Sequence, residues 1–421
     1  MTFLLKPLIL AMALLGSPLF VVISALALLS FHGVGVDLTV VVIEMSRLAD
    51  TPLLLSLPLF ILAGTLLSES GAPSRLLTLS RLLLGWLPGG LAVIALVVCA
   101  LFTAFTGATG VTIFALGGLL YPAMRKDRYT EEFSLGLITT SGSLGLLFPP
   151  SLPLILYGVI AETRIDHLFL AGILPGLLML LLLGAYSIRQ GAAIRKTPAT
   201  TVSMGEALRG AAWELPLPFI VLGGIYGGFF VVGEAAAVTA LYVLIVEVFI
   251  YKDIPLSRVS EITVRSMALF GGIFVVLAAS MASTNYLVDQ EVPTRLFEFI
   301  RGHITSKYTF LLLLNLFLLV VGMLLDIFSA LVLVVPLIVP IAQGYGIDPL
   351  HLGIIFLTNL QIGYCTPPVG LSLFLASYRF EQPISRIYQA TLPFLLILMA
   401  SLAIITYLPQ ISLLLVRLLA H

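Results

Sequence analysis

Two stretches of this chain gather hydroxyl, amide and glycine residues inside segments that are otherwise apolar. The first is TTSGSLGLLFPPSLP at 139–153, and the second is TNLQIGYCTPPVG at 358–370. Each contains a Pro-Pro pair, and proline lacks the backbone N–H and clashes with the preceding helical turn, so we expect each pair to break a helix and free backbone oxygens. Hydroxyl, amide and backbone oxygens of low total charge favour a monovalent cation, whereas zinc or iron would require clustered His and Cys.

The two stretches repeat one pattern. At a shift of 218 positions, five residues of the first half fall on residues of the same type in the second: Pro122 on Pro340, Thr140 on Thr358, Gly145 on Gly363, Pro149 on Pro367 and Pro150 on Pro368. Five coincidences at one shift, two of them from a rare dipeptide, indicate an internal duplication. Paired broken helices in the two halves of a membrane protein are typical of a transporter's binding site.

The composition is that of an integral membrane protein. Of 421 residues, 60% are hydrophobic and 10% are charged, with 21 basic residues against 21 acidic ones. Runs of about 20 apolar residues recur along the chain, as membrane spans require. The even charge balance and the lack of a basic patch give no indication of a nucleic-acid partner, and we expect none. Phosphate-binding-loop, metalloprotease and nucleophile-elbow motifs do not occur, so we expect neither direct ATP drive nor enzyme activity.

The apolar runs predict an all-α protein with a repeated order of elements. The first half is predicted to contain spans at 4–31 and 52–69, an amphipathic interfacial helix at 73–86, a long apolar segment at 87–124, a broken span at 131–162 and a span at 167–188. The second half is predicted to contain spans at 213–232, 234–250 and 265–286, a short amphipathic piece at 255–264, a long apolar segment at 308–344, a broken span at 349–378 and a closing segment at 388–416. The stretches 32–51, 189–212 and 287–307 are polar, and whether 4–31 crosses once or is split at Gly16 and Pro18 stays open.

The long segments 87–124 and 308–344 are each compatible with two full spans or with one re-entrant helical hairpin. An arm of roughly 14–18 residues reaches about 21–27 Å, which is around or below the thickness of the hydrocarbon core. The tips at 106–110 and 322–329 lack the charge cluster of a water-exposed turn, so we favour hairpins. Most of the 21 basic residues then fall on the cytoplasmic side, and an odd number of crossings separates the hairpins. The second half is therefore inverted, as in alternating-access carriers.

If the hairpin tips meet the broken spans, two oxygen-rich clusters form. We expect the ion ligands among Thr106, Gly107, Thr109, Ser141, Ser143, Gly145, Gly322, Asp326, Gln361, Gly363 and Thr366. We expect substrate contacts among Thr103, Thr140, Ser141, Pro150, Asn359 and Pro368. Neither cluster contains Lys or Arg, so helix N-terminal N–H groups, hydroxyls and bound cations would hold a carboxylate. Two plainer roles stay open: small residues also serve close helix packing, and Asp326 also suits a helix end.

Longer motifs connect the chain with a known family. They are LPLFILAG (57–64), FTGATG (105–110), LLYPAM (119–124), FPPSLPLILYGV (148–159), LFLAGILPG (168–176), GEAAAVTALY (233–242), GMLLD (322–326) and TPPVGLSLF (366–374). With them the chain resembles, over essentially its whole length, the large membrane subunit of tripartite ATP-independent periplasmic (TRAP) transporters in the ion-transporter superfamily. It departs from the family pattern at three places: Ala108 replaces the second serine of a Ser-Gly-Ser tip, Gln361 stands where glutamate is common, and Ser372 stands where asparagine is frequent.

The resemblance implies a sodium-driven importer of the bacterial inner membrane, with Na⁺ as the coupling ion. Its implied partners are a small four-helix membrane subunit and a periplasmic substrate-binding protein. Its implied substrates are organic acids such as C4-dicarboxylates, sialic acid or other sugar and keto acids. It also implies an elevator, in which a transport domain at 87–165 and 308–380, containing two hairpins and two broken helices, moves against a scaffold. The scaffold would comprise 1–86 with one arm helix, 166–307 with a second arm helix, and 381–421.

Two other functions stay open from the sequence. A self-sufficient sodium/carboxylate carrier of the same superfamily would transport without a binding protein. A membrane scaffold or assembly subunit would transport nothing, and changes at Asp326 or at Ser141–Ser143 would leave its role intact.

Overall fold

The computed structural model describes residues 9, 11, 12, 17–49, 52–84, 89–191 and 203–419. Regular structure in these ranges is helical throughout, as the apolar runs predicted. Several predicted features extend beyond the described residues, namely the span 4–31 with Gly16, the polar stretch 32–51, the amphipathic helix 73–86, the segment 87–124, the polar linker 189–212 and the last scaffold block 381–421.

The first half contains the broken helix that the first Pro pair predicted, and the segment 87–124 forms two helices joined by a tight turn. Its described helices are α1 (Leu19–Gly33), α2 (Thr39–Ala49), α3 (Ser56–Glu69), α4 (Ala72–Leu84), α5 (Gly90–Thr106), α6 (Thr109–Lys126), α7 (Glu131–Ser141), α8 (Leu152–Ile160) and α9 (Ile165–Gly191). A 3-10 turn, Pro52–Leu55, leads into α3, and a second 3-10 turn, Leu144–Leu147, lies between α7 and α8.

The second half supplies a matching set. Its described helices are α10 (Met204–Gly210), α11 (Pro216–Tyr226), α12 (Val232–Leu244), α13 (Leu256–Asp289), α14 (Val292–His303), α15 (Lys307–Leu324), α16 (Ile327–Gly344), α17 (Pro349–Gly363), α18 (Leu371–Phe380), α19 (Ile384–Tyr407) and α20 (Pro409–Leu419). A π-helical segment, Ile245–Ile250, continues α12.

Several described helices are long and apolar enough to cross a membrane, namely α9, α12 with its π segment, α13, α15, α16 and α19. The pair Glu131–Leu147 and Leu152–Ile160 meets the same test together and bends by 45° at its break, where Pro149 and Pro150 stand. In the second half, α17 and α18 flank the other Pro pair, and residues 364–370 between them lie outside any helix. The prediction of an all-helical, multi-span membrane protein is confirmed.

The duplication extends from single residues to whole helices. Shifted by 218 positions, the start of α6 at Thr109 falls on the start of α16 at Ile327. The start of α7 at Glu131 likewise falls on the start of α17 at Pro349. Packing is reciprocal too, because α6 contacts α18 while α16 contacts α8, and α3 contacts α12 while α1 contacts α13. Each half therefore supplies the same parts and completes the packing of the other.

The prediction of a separate amphipathic arm helix at 255–264 is wrong. A single helix, α13, runs from Leu256 to Asp289 through the predicted boundary. No proline interrupts it, so the change from charged to apolar side chains does not break the helix.

At the 218 shift the partner of α4 is α14, which lies in the stretch 287–307 that we predicted to be a polar segment. Apolar and charged residues are interleaved over the 12 residues of α14, so no apolar run marks it.

Two further stretches differ from the prediction. The polar stretch 32–51 contains α2, and the closing segment 388–416 is divided into α19 and α20 at Leu408. The division follows from Pro409, because a proline disfavours helical backbone at the residue before it and suits the first position of a new helix.

The broken helices lie at the centre of the protein. Most of α7 and nearly all of α17 is buried, and α9 and α19 pack around them together with α5. The rings of Tyr157 in α8 and Phe356 in α17 lie 6.4 Å apart, and the Tyr157 hydroxyl donates to the backbone oxygen of Pro349 at 2.7 Å. Backbone groups freed at the breaks are thereby enclosed in protein, as a membrane requires.

Arg75 anchors α4 to the segments around α11 and α12. Its guanidinium contacts the carboxylates of Glu214, Glu247 and Asp253, with a distance of 2.9 Å to Glu247, and lies 3.8 Å from the ring centre of Tyr251. Burial disfavours the charged guanidinium, but the contacts with Asp253 and Glu214 outweigh burial and raise the pKa of Arg75 above its ordinary value. The arm helix is therefore held by a charged cluster rather than by apolar packing alone.

Candidate functional site

The first hairpin turns at Gly107 and Ala108, between the end of α5 and the start of α6. Gly107 adopts a left-handed backbone with φ of +64°, and its N–H donates to the backbone oxygen of Thr103 at 2.8 Å. A Cβ at this position would lie 2.7 Å from Cγ of Leu152, at the start of α8. Glycine is therefore required both by the turn and by its contact with the broken helix.

The hairpin tip packs against the break in the first broken helix, as predicted. The Thr103 hydroxyl donates to the backbone oxygen of Gly142 at 2.9 Å and lies 2.6 Å from the Thr112 hydroxyl on the other arm. A Cβ on Gly145 would lie 2.6 Å from Cβ of Thr103, so only glycine lets the 3-10 turn approach α5 this closely. Thr112 was not among the predicted residues, although its position across the tip from Thr103 identifies it once the hairpin is known.

The predicted hydroxyls around this contact fall into two groups. Those of Thr140 and Ser141 donate within α7, to Gly136 at 2.8 Å and to Ile138 at 3.3 Å. Those of Thr106 and Thr109 are buried, with 7% and 4% of the residues exposed, and have no hydrogen-bond partner in the part of the chain that the structure describes. The tip therefore offers two uncommitted oxygens next to a break in the backbone.

The second hairpin meets the second broken helix through glycine as well. A Cβ on Gly363 would lie 2.6 Å from the carbonyl carbon of Gly322, and one on Gly322 would lie 2.8 Å from Cα of Leu360. Gly363 is the repeat partner of Gly145, so the same backbone-to-backbone approach occurs in both halves. The predicted gathering of Gly322 with Gly363 is what the structure contains.

Asp326 stands at the second tip but faces outward. It is exposed, and its Oδ1 accepts hydrogen bonds from the N–H groups of Phe328 and Ser329 at 3.0 Å each. The Ser329 hydroxyl donates to the other carboxylate oxygen. Asp326 is thus the N-cap of α16, and it also lines a cavity of about 300 Å³ between α13 and α16. The N–H of Ile327, the first residue of α16, donates to the hydroxyl of Tyr364, a residue that was not among the predicted site residues.

Two predicted side chains of α17 turn away from this tip. Asn359 donates to Oδ1 of Asn315 on α15 at 2.7 Å, and Gln361 donates to the sulfur of Met179 on α9 at 3.2 Å. Both are fully buried, and the side-chain oxygen of each lacks a partner within the described ranges. The second cluster is therefore assembled by backbone contacts, while its amide side chains face other helices.

The remaining predicted residues lie at the breaks themselves. The Thr366 hydroxyl donates to the backbone oxygen of Ile362 at 2.9 Å. Pro150 is buried, whereas Pro368 is exposed and its backbone oxygen accepts a hydrogen bond from Tyr388 at 2.6 Å. Each Pro-Pro peptide bond is cis.

A cavity of about 730 Å³ lies between the first tip, α3 and α13. Thr106 of the tip and Glu69 and Arg265 of the surrounding helices contribute to its wall. Sequence reasoning missed Arg265 because α13 is distant along the chain, and no local motif connects it with the tip.

Comparison with known proteins identifies the family. Residues 7–411 match the family described as "Tripartite ATP-independent periplasmic transporter, DctM component". The C4-dicarboxylate TRAP transporter large permease protein DctM of Pseudomonas aeruginosa is 36% identical over 377 residues, which cover 88% of each chain. The isethionate TRAP transporter permease protein DctMQ of Oleidesulfovibrio alaskensis is 36% identical over 85% of this chain and 57% of its own length. The sialic acid TRAP transporter large permease protein SiaM of Vibrio cholerae is 34% identical over 87% of this chain and 86% of its own.

Among solved structures, the YdaH transporter of Alcanivorax borkumensis has a similar fold. Its TM-score is 0.63 over 88% of this chain and 87% of that one, at 13% sequence identity. At that identity the likeness concerns the fold alone. The family match confirms the resemblance that the motifs indicated, and with it a multi-pass protein of the bacterial inner membrane that is a transport permease and not an enzyme. This chain belongs to the DctM component family of tripartite ATP-independent periplasmic transporters.

Proposed function

We propose that the chain is the large permease subunit of a sodium-coupled, binding-protein-dependent importer of organic acids, such as C4-dicarboxylates, sialic acid or related carboxylates. The observation that carries the proposal is the uncharged oxygen cluster where the first hairpin tip packs on the first broken helix. There the buried hydroxyls of Thr106 and Thr109 stand without partners among the described residues, beside the freed backbone of 142–145.

The chemistry of this cluster fits a sodium ion as co-transported cargo. Hydroxyl and backbone oxygens are hard, neutral ligands, which suit a cation of single charge. A buried hydroxyl without a partner costs about 1–3 kcal/mol of stability. A cation that binds the hydroxyl oxygens of Thr106 and Thr109 would remove this cost, and its binding would be favoured accordingly. We assign the first ion site to Thr106, Gly107, Thr109, Ser141, Ser143 and Gly145. We assign a second site to the backbone of Gly322, Gly363 and Thr366 with the Asp326 carboxylate, and we leave the Gln361 side chain out of it because that side chain faces Met179.

The packing supports elevator movement of an inverted pair of repeats. The hairpins and broken helices form one packed body, and α9 and α19 lie against it, so we assign these two helices to the moving domain rather than to the scaffold. The scaffold helices α3 and α13 border this body. Gly64 of α3 approaches the backbone of Phe105, and the Ser280 hydroxyl of α13 donates to the backbone oxygen of Val332 at 2.8 Å. That oxygen is free because Pro336 lacks the N–H that would reach it.

The partners follow from the family and from one relative. The tripartite description implies a periplasmic binding protein and a small membrane subunit. The chain spans 57% of the isethionate relative, DctMQ, and we infer that the remainder of that protein carries the small membrane subunit. This chain would then bind a separate small subunit in the bilayer.

Uptake into proteoliposomes tests the proposal. The chain is reconstituted alone, with the small subunit, and with both partners, and is supplied with radiolabelled succinate, isethionate or N-acetylneuraminate under an inward sodium gradient. We expect uptake of at least one acid that requires both partners and collapses when potassium replaces sodium. Uptake by the chain alone would favour the self-sufficient carrier. A complete system that carries none of these acids would contradict the proposed substrate class.

A further inference from the structure

We propose that Arg265 binds the anionic group of the transported acid in the cavity beside the first hairpin tip. The inference deepens the proposed function and rests on it for the identity of the acid. The cavity of about 730 Å³ is of the size that small-molecule sites usually have. Its wall combines apolar side chains with a few polar ones, among them Thr65, Ser68, Thr106 and Ser266.

Arg265 is the basic residue that the structure places in this wall. Its side chain is 48% exposed, so the guanidinium is open to a ligand without being stripped of water beforehand. It lies 3.2 Å from Glu69 and 3.6 Å from Glu261, and the second contact joins two exposed side chains one helical turn apart. Such exposed pairs contribute little, and a guanidinium has five N–H donors in a planar fork. Donors therefore remain for a carboxylate or sulfonate group.

Glu69 contacts a second arginine, so its carboxylate stays paired when Arg265 moves away from it. Its other oxygen lies 3.0 Å from Arg258, which is also on α13 but does not line the cavity. When Arg265 turns toward an incoming anion, Arg258 can keep Glu69 neutralised. Glu69 therefore stays paired, and Glu261, which is 61% exposed, loses only a weak surface pair and is left to solvent.

Thr106 connects this cavity with the proposed ion site. Its residue lines the cavity, while its buried hydroxyl lacks a partner in the described chain. An anion held by Arg265 and a cation held at the tip would thus share one wall, and opposite charges that lie close together attract each other. This arrangement gives a physical reason for substrate and sodium to favour each other's binding.

The repeat adds an independent observation from the sequence. The position 218 residues before Arg265 is Arg47, so the first half carries arginine at the matching place, in α2. Of these three charged residues of α13, only Arg265 has a residue of the same type in the first repeat. The positions that correspond to Arg258 and Glu261 are Val40 and Ile43.

A thiol-protection experiment tests the site without relying on transport. Thr65→Cys places a thiol in the cavity wall, while the native Cys99 and Cys365 are 1% and 0% exposed. The complex with the small subunit is labelled with a maleimide in the presence of succinate, isethionate or N-acetylneuraminate. We expect at least one acid to slow labelling several-fold in T65C and in the matched control T65C/R295Q, and none to do so in T65C/R265Q, because Arg295 is an exposed residue of α14 that does not line the cavity. Lack of protection in T65C, or equal protection in all three proteins, would overturn the proposal.

Uptake by the complete system separates this inference from the proposed function. With Arg265→Gln we expect the substrate concentration for half-maximal uptake to rise at least tenfold, and with Arg295→Gln, outside the cavity, we expect less than a twofold change. Wild-type uptake kinetics in R265Q would overturn the role of Arg265 while leaving the proposed function standing. A wild-type system that carries no acid would contradict the proposed function, and the protection data would still decide whether the cavity binds anions.

Discussion

Ser143 and Gln361 occupy matching positions of the two repeats, 218 residues apart, and they touch each other. The Ser143 hydroxyl lies 3.3 Å from the backbone oxygen of Gln361 and 3.3 Å from that of Thr140. At the end of α17 the N–H of Cys365 turns to Ile362 at 2.9 Å instead of closing a regular turn onto Gln361. The break in one repeat thus frees an oxygen that the break in the other repeat satisfies.

Ser143→Ala should therefore destabilise the contact between the two repeats. Loss of the hydroxyl leaves the buried Gln361 oxygen without the donor that Ser143 supplies, which costs about 1–3 kcal/mol. Ser134→Ala is the matched control, because the Ser134 hydroxyl donates within its own helix to an oxygen that also accepts a backbone N–H. Thermal unfolding in detergent should show a larger loss for S143A than for S134A. Equal losses would mean that the contact between repeats contributes nothing beyond local bonding.

Gly145→Ala and Gly363→Ala should each abolish most uptake. The added Cβ would lie 2.5 Å from the backbone nitrogen of Ala104 in one case and 2.6 Å from the carbonyl carbon of Gly322 in the other, so a hairpin must move off its broken helix. Overpacking of this kind costs about 1–3 kcal/mol. We expect at least tenfold slower sodium-driven uptake. Gly184→Ala, where no atom lies within 4 Å of the new Cβ, should transport normally, and a similar defect there would remove the packing explanation.

The sequence was most informative where the backbone itself is constrained. The uncharged stretch 106–110 predicted a hairpin tip, and the Pro pairs predicted the breaks, because proline acts locally whatever surrounds it. The contact of Thr103 with the backbone of Gly142 followed from bringing those two features together. The repeat shift also predicted correctly that Gly145 and Gly363 play the same part.

The sequence was least informative where helix rotation and distant packing decide. Asn359 and Gln361 stand two residues apart on α17, so their side chains face different neighbours, Asn315 and Met179. Which neighbour each meets depends on how α17 is rotated against α15 and α9, and residue type does not encode that rotation. Arg265 escaped notice for a similar reason, since only the packing of α13 beside the first tip brings it to the cavity.

Thr106→Val and Thr109→Val should raise the unfolding temperature of the sodium-free protein, because each removes a buried hydroxyl that lacks a partner, and should weaken sodium binding. In the described chain neither hydroxyl has a partner, so replacing it with a methyl group of similar size breaks no hydrogen bond. Thr103→Val is the contrasting variant, because it removes the bond to Gly142 at 2.9 Å and should lower the unfolding temperature. The measurement is thermal unfolding over a sodium titration. Unaltered sodium dependence in both T106V and T109V would remove these hydroxyls from the proposed ion site.

Asp326→Asn and Asp326→Ala should separate a helix cap from an ion ligand. Asparagine keeps an oxygen for the N–H groups of Phe328 and Ser329, so D326N should unfold close to wild type, whereas D326A should lose about 0.5–2 kcal/mol. If the carboxylate also serves the second ion site, D326N should need at least tenfold more sodium for half-maximal uptake. Wild-type sodium dependence in D326N would show that capping α16 is its whole role.

Arg75→Ala should destabilise the protein more than any of these changes, and a second substitution should partly restore it. Removing the guanidinium leaves the carboxylates of Glu214 and Glu247, 6% and 0% exposed, without their shared cation. Breaking a buried pair from one side costs about 3–5 kcal/mol, because an uncompensated charge stays behind. Adding Glu247→Gln removes one of the stranded charges, so R75A/E247Q should unfold at a higher temperature than R75A. Additive losses in the double variant would mean that Arg75 fixes the arm helix through its stacking on Tyr251 rather than through charge.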